Sequence, residues 1–223
     1  VIAMASVPNV AAPTVETQPR VALVGNPNTG KSTLFNALAG MNVRTGNYPG
    51  VTIEKKSGVC ALPSGKATVV DLPGTYSLAP RSPDELVAVE VLTADTSEQS
   101  GVNLIVCVVN ALLLQRNLFL VSQLLELGKP VVIALNMIDV AESRGMQIDV
   151  ARLSEQIGVP VVATSAAKRT GIDSLKQAIS DQLSGDTAQP ERYHILPAAF
   201  YDGVNRFRDS LIATNSSGNT TVP

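Results

Sequence analysis

The sequence predicts a doubly wound α/β domain over residues 19–185, and three observations carry that prediction. Short β-rich runs alternate with helically spaced segments, the order of a parallel sheet wound by helices. Two of the runs, residues 104–109 and 131–135, are unbroken aliphatic stretches of the kind buried on both faces of such a sheet. A glycine-rich loop leaves the first run directly and opens a helix.

The elements follow in order. Residues 21–24 form the first strand and residues 32–38 have helical spacing. A mobile loop is expected from about Met41 to Val51, with Gly46, Pro49 and Gly50 in it. Residues 51–62 and 66–70 read as neighbouring strands joined by Pro63-Ser64-Gly65, a tight connection that implies an antiparallel pair. Between the two aliphatic strands, Leu118, Val121, Leu124 and Leu125 share a helical face, and Gly128 is placed to stop that helix. Asp149 is placed to cap a helix through Ile157, with Gly158 ending it and Pro160 beyond. Residues 161–163 are the last strand and 172–183 the last helix. Residues 1–18 are expected to be a flexible arm. Residues 186–223 are expected to be a short, partly helical tail, with one helix over 198–212 and disorder from Thr214 onward.

Composition narrows the function. The 223 residues are 45% hydrophobic and 16% charged, as in a folded core, and the net charge is −2. No excess of Lys and Arg points to a nucleic-acid partner, and 4% aromatics with no Trp offers no base-stacking platform. Cys60 and Cys107 lie in apolar strand-like runs and read as buried thiols; His194 has no ligand-type neighbour. The most apolar stretch, 102–121, is broken by Asn103, Asn110, Gln115, Arg116 and Asn117, so it reads as a buried strand and an amphipathic helix, not a bilayer span.

The chemistry begins at Gly25-Asn26-Pro27-Asn28-Thr29-Gly30-Lys31-Ser32, a full G-x-x-x-x-G-K-[ST] loop between a strand and a helix that continues through Thr33. Its glycines let consecutive N–H groups turn inward on phosphate oxygens, and the helix start adds positive potential. Lys31 is the phosphate cation and Ser32 a Mg²⁺ ligand. Asp71-Leu72-Pro73-Gly74 ends the third strand: Asp71 is positioned to hold Mg²⁺ through water, and the Gly74 N–H to touch the γ-phosphate. Thr52, within Gly50-Val51-Thr52-Ile53-Glu54, is the candidate to close on Mg²⁺; Thr29, Thr33 and Thr45 compete with it on sequence alone. Asn136-Met137-Ile138-Asp139 follows the 131–135 strand. A carboxylate at Asp139 can accept the adjacent N1–H and N2–H donors of guanine, a pair adenine lacks, while Asn136 braces the loop. Thr164-Ser165-Ala166, after the last strand, offers backbone N–H groups to guanine O6, although such a serine is also a common turn residue.

In this order the motifs resemble those of the small GTPases. The runs Gly25-Asn26-Pro27-Asn28, Gly46-Asn47-Tyr48-Pro49-Gly50-Val51-Thr52-Ile53-Glu54, Arg116-Asn117-Leu118, Leu124-Leu125-Glu126-Leu127-Gly128-Lys129-Pro130 and Asn136-Met137-Ile138-Asp139 resemble the N-terminal domain of the FeoB-type bacterial ferrous iron transport proteins. The resemblance spans about residues 20–180. It implies a three-layer P-loop GTPase sandwich whose mostly parallel sheet has six to seven strands and one antiparallel edge strand. It also implies a GTP/GDP-binding, slowly GTP-hydrolysing domain that regulates iron uptake at the cytoplasmic face of the inner membrane. Its partner would be a membrane-embedded transport domain of the same full-length chain, joined by a helical spacer; residues 186–223 are too short for that spacer and would be a truncated part of it. Catalytic roles fall to Lys31, Asn28, Thr52 and Gly74. By the same resemblance Asn28 ligates K⁺, with the carbonyls of Gly46 and Tyr48. Two departures stand out: Asn110, where relatives carry Asp, and Thr75, where Ras-like enzymes carry the water-orienting Gln. The competing readings are an Era-like GTPase of ribosome or tRNA maturation and a low-turnover nucleotide sensor.

Overall fold

The computed structural model describes residues 18–40, 43–95 and 101–185, together with the backbone of 212–214. Among the described residues, nine strands and six helices follow in the order β1 (Arg20–Gly25), α1 (Lys31–Ala39), β2 (Val43–Asn47), β3 (Glu54–Leu62), β4 (Gly65–Asp71), α2 (Pro83–Thr93), β5 (Leu104–Asn110), α3 (Leu114–Glu126), β6 (Val131–Asn136), α4 (Ile138–Ser143), β7 (Met146–Ile148), α5 (Val150–Ile157), β8 (Val161–Ala163), α6 (Ile172–Ser184) and β9 (Ile212–Thr214). A 3₁₀ turn at Ala111–Leu113 leads into α3.

Seven strands form one sheet in the order β2-β3-β4-β1-β5-β6-β8. β4, β1, β5, β6 and β8 run parallel, while β3 is antiparallel to β4 and to β2, giving the mostly parallel sheet its antiparallel edge. Because side chains alternate across a strand, each central strand feeds two cores. Ala22, Val24, Ile105, Cys107, Ile133 and Leu135 face α2, α3, α4 and α5; Val21, Leu23, Leu104, Val106, Val132 and Ala134 face α1 and α6. Both aliphatic runs are buried along their whole length, as residues covered on two faces must be. Both cysteines are buried free thiols, and burial pushes Cys107 up to about 12. The predicted caps are present. The Asp149 side chain accepts the Arg152 N–H at 2.9 Å, and Gly158 and Gly128 end their helices at positive φ.

Several expectations are corrected. The stretch expected to be a mobile loop contains β2, which pairs in register with β3 from Val43 opposite Gly58 to Asn47 opposite Glu54. β3 begins at Glu54 rather than Val51, because the Tyr48-Pro49-Gly50-Val51 turn, closed by Val51 N–H to Tyr48 O at 3.3 Å, reverses the chain first. Thr52 therefore lies in the short link between that turn and β3 and not on a strand. Helices α2 and α4 and strand β7 were not anticipated. Residues 198–211 of the expected tail helix, and the arm 1–17, lie outside the described residues; Ile212–Thr214 is a strand, antiparallel to β7. Among the described residues, no helix is long and apolar enough to cross a membrane.

Candidate functional site

The carboxyl ends of β1, β4, β5, β6 and β8 meet at one edge of the sheet, and every loop bearing a predicted site residue leaves from that edge or from β2 and β3. A cavity of about 490 Å³ opens there. Asn26, Pro27, Asn28, Gly30, Lys31, Ser32 and Thr33 form one wall, and Pro73 and Gly74 another.

The loop's shape follows from a few contacts. Thr29 is buried and donates its hydroxyl to Asn26 O at 2.9 Å, folding the loop on itself. Gly25 O accepts the Thr75 N–H at 3.2 Å, tying the loop to the one after β4. Gly30 has φ +82, and a Cβ there would fall 2.4 Å from Nδ2 of Asn136, so the position excludes any side chain. Gly30 caps α1 without a side-chain hydrogen bond, and the first turn carries no acid. The N–H groups of that turn are therefore left to an anion, which suits a phosphate.

Asp71 ends β4 beneath this loop. Its carboxylate is buried, pairs with the Lys31 ammonium, and accepts the Ser32 hydroxyl at 3.2 Å. A hydroxyl and a carboxylate converging beside a phosphate cradle is a donor set that suits Mg²⁺. Leu72 points into the core and contributes only backbone, donating its N–H to Leu23 O at 3.0 Å. Thr75 is fully buried, and its hydroxyl is spent on Ser77 O at 2.6 Å. It cannot aim a water.

Asn136 joins the two halves of the site. It is buried, donates Nδ2–H to Thr29 O at 2.9 Å, and accepts from the Ala166 N–H at 3.0 Å and the Thr164 hydroxyl at 3.3 Å. One side chain thus holds the phosphate loop, the loop after β6 and the loop after β8 in fixed relation. Thr164, Ser165 and Ala166 are buried, and the N–H groups expected to reach guanine O6 are all engaged within the fold here: Thr164 donates to Leu135 O, Ser165 to Thr170 O and Ala166 to the Asn136 side chain. Met137 takes φ +62 to start α4, which carries Asp139 in its first turn. Lys168 Nζ lies 3.0 Å from Oδ2 of Asp139. The Lys168 and Ser165 side chains hold the Asp139 carboxyl below its usual range, against a small opposing effect of desolvation.

The structure does not bring the third group of predicted residues to the cavity. Gly46 sits in β2 opposite Lys55, Gly50 and Val51 are on the exposed turn, and Thr52 follows it in an exposed link to β3. Ile53 packs against the core and Glu54 pairs with Lys56 at 3.3 Å. Tyr48 is buried with its ring beneath the Lys55 ammonium, and its carbonyl accepts the Val51 N–H. Of the three residues assigned to K⁺, only Asn28, at φ +64, lines the cavity. The carbonyls of Gly46 and Tyr48 do not assemble with it, because strand pairing and the turn hold them elsewhere.

Two features of the candidate site have no counterpart among the residues expected from sequence. Ser82, Asp84 and Glu85 at the start of α2 also line the phosphate cavity. Their signal was legible: Ser82-Pro83-Asp84-Glu85 is a capping box with Pro at the first helical position. The Ser82 hydroxyl accepts the Glu85 N–H at 3.2 Å, and the Glu85 carboxylate accepts the Arg81 N–H at 2.7 Å. The Lys168 to Asp139 pair had no sequence signal, since the two are brought together only by the packing of β6 beside β8. Asn110 is structural: it accepts the Leu112 N–H at 2.9 Å and starts the 3₁₀ turn.

Known proteins resemble this chain in sequence and in fold. Residues 19–179 match the family model described as ferrous iron transport protein B. The Fe(2+) transporter FeoB of Salmonella typhimurium is 44% identical over 177 residues, covering 78% of this chain and 22% of the relative. Among solved structures, a GDP-bound mutant of the S. thermophilus FeoB G-domain matches with a TM-score of 0.70 at 44% identity, covering 79% of this chain and 65% of that one. The cytosolic domain of L. pneumophila FeoB matches with a TM-score of 0.68 at 45% identity, covering 73% and 68%. The chain thus spans about a fifth of the length of the curated relative. It belongs to the ferrous iron transport protein B family and carries that family's N-terminal G domain.

Proposed function

We propose that residues 19–185 bind GTP and GDP with Mg²⁺, hydrolyse GTP slowly, and act as the regulatory domain of a bacterial ferrous iron uptake protein. The observation that carries this reading is Asn136, which locks a phosphate cradle at Thr29 to the loops bearing Asp139 and Ala166. In this reading one nucleotide lies with its phosphates on the start of α1 and its base at Asp139. A homologous G domain with GDP bound supports the ligand class.

The chain's own groups divide the work. N–H groups of the Gly25–Ser32 loop and the start of α1 hold the phosphates, and Lys31 exchanges its Asp71 partner for phosphate oxygen. Asp71 and Ser32 would hold Mg²⁺, which when bound offsets charge on the phosphate oxygens. Thr52 reaches that site only if the turn after β2 swings inward, a motion that makes the loop a sensor of the γ-phosphate. Gly74, already in the cavity wall, reports the same phosphate through its N–H. With Thr75 buried, no side chain at that position aligns the attacking water, so slow turnover is expected. Stimulation by K⁺ rests on Asn28 and requires Gly46 and Tyr48 to leave their present pairings. The membrane-embedded remainder of the full-length protein is the proposed partner, placing this domain at the cytoplasmic face of the inner membrane.

Single-turnover GTP hydrolysis tests the reading. Turnover is expected with Mg²⁺, lost in EDTA, and faster in KCl than NaCl, with the salt difference removed by Asn28→Ala. Equal rates in both salts would remove the K⁺ role and leave the rest. The burial of Thr75 also favours a second reading, a low-turnover guanine-nucleotide sensor; bound GTP that persists through the assay would support it.

A further inference from the structure

Asp139 is held by a residue 29 positions along the chain, Lys168, whose Nζ lies 3.0 Å from Oδ2. The backbone that presents Lys168 is fixed on both sides. Ser165 and Thr170 exchange two backbone hydrogen bonds of 3.1 Å, and Arg169 N–H donates to Ala166 O at 3.3 Å. Arg169 takes φ +57 to close the turn. Gly171, at φ +76, seats it on the end of β8, where a Cβ would fall 2.1 Å from Ala163 O. Asn136 clamps the near side through the Ala166 N–H. Reaching Asp139 therefore costs Lys168 only side-chain freedom. Met137, two residues before Asp139, is apolar and lies against the Gly30 position.

We propose that Lys168 is a positioning residue for guanine recognition: its ammonium fixes the Asp139 carboxylate in the orientation that accepts the two adjacent guanine donors, and so lengthens the residence of bound nucleotide. The inference rests on the assignment of Asp139 to the base. A carboxylate offers about four acceptor sites. Lys168 takes one on Oδ2 and the Ser165 hydroxyl another, leaving a site for each guanine N–H. The Val140 N–H also approaches the carboxylate, but it is already donated to Met137 O at 3.1 Å. Lys168 is two-thirds exposed, so its effect is that of a solvated ion pair.

The test is the release rate of a fluorescent GDP from the 223-residue chain, measured for wild type, Lys168→Ala and Lys168→Arg, and with fluorescent XDP in the Asp139→Asn background. Lys168→Ala is expected to release GDP about two- to fivefold faster, the size of an exposed ion pair, and Lys168→Arg to restore the wild-type rate. In the Asp139→Asn background with XDP, Lys168→Ala should have no effect, because the carboxylate it holds is gone. A merely structural lysine would act equally in both backgrounds, and that outcome overturns the proposal. Unchanged or slower GDP release in Lys168→Ala also overturns it. If Asp139→Asn does not shift preference from GDP to XDP, the base assignment itself fails and takes this inference with it. A normal shift combined with a silent Lys168→Ala refutes Lys168 alone.

Discussion

Removing the Asn136 side chain should do more damage than removing any single phosphate-facing group, and the size of the loss can be worked from its contacts. Asn136→Ala strands the Thr29 carbonyl, the Ala166 N–H and the Thr164 hydroxyl, all on buried residues. A buried polar group left without a partner costs about 1–3 kcal/mol. Simple addition overstates the sum, because the space vacated by the amide admits water to some of these groups. A loss of about 3 kcal/mol is therefore expected, which lowers Tm by about 6–12 °C in a domain of this size. Asn136→Asp should fare no better. It keeps an acceptor for Ala166 and Thr164 but sets a carboxylate against the Thr29 carbonyl. Thermal and urea unfolding with and without GDP measure both parts of the effect: lower intrinsic stability, and less stabilisation by GDP because the phosphate and base loops are no longer tied. A loss under about 1 kcal/mol with normal GDP stabilisation would refute the claim that this residue couples the two halves.

Three further outcomes follow from other parts of the site. Gly30→Ala should abolish nucleotide binding, since the left-handed backbone alone costs about 1–2 kcal/mol and the new Cβ strikes Asn136; calorimetric titration with GDP checks it. Tyr48→Phe should stabilise the fold by about 1 kcal/mol, because the Tyr48 hydroxyl is buried without a partner; urea unfolding reads this directly. Guanine preference should hold from about pH 7 to 5 and fail only in stronger acid. The Asp139 carboxyl is held below its ordinary value of 3.8, so its contribution is present above that value and lost as pH falls through the lowered one; competition of GDP against IDP across pH measures it.

The sequence made the central sheet and the phosphate cradle legible for a common reason: both depend on local pattern. Residues 104–109 and 131–135 have the unbroken apolar pattern that fits doubly buried strands, and Gly25 to Ser32 carries its own turn geometry. Asp139 and Asn136 were legible as a pair, but the role of Asn136 as a clamp on Thr29 was not, because it spans 107 positions of sequence. β2 was hidden because all five of its residues are exposed, leaving no buried face to impose an alternating pattern. α2 was hidden because apolar residues run along most of its length, with Leu86 exposed and Val87, Ala88, Val91 and Leu92 buried; only its capping box marked it. The position of Thr52, Gly46 and Tyr48 away from the cavity depends on the β2 to β3 pairing, which no motif encodes.

The central claim is that Asp139, held in register with the phosphate cradle, makes this a guanine site. Competition of GDP, XDP and ADP for the wild-type chain and for Asp139→Asn tests it most directly. Wild type is expected to take GDP and Asp139→Asn to prefer XDP, with ADP bound by neither. An Asp139→Asn variant that still prefers GDP would contradict it.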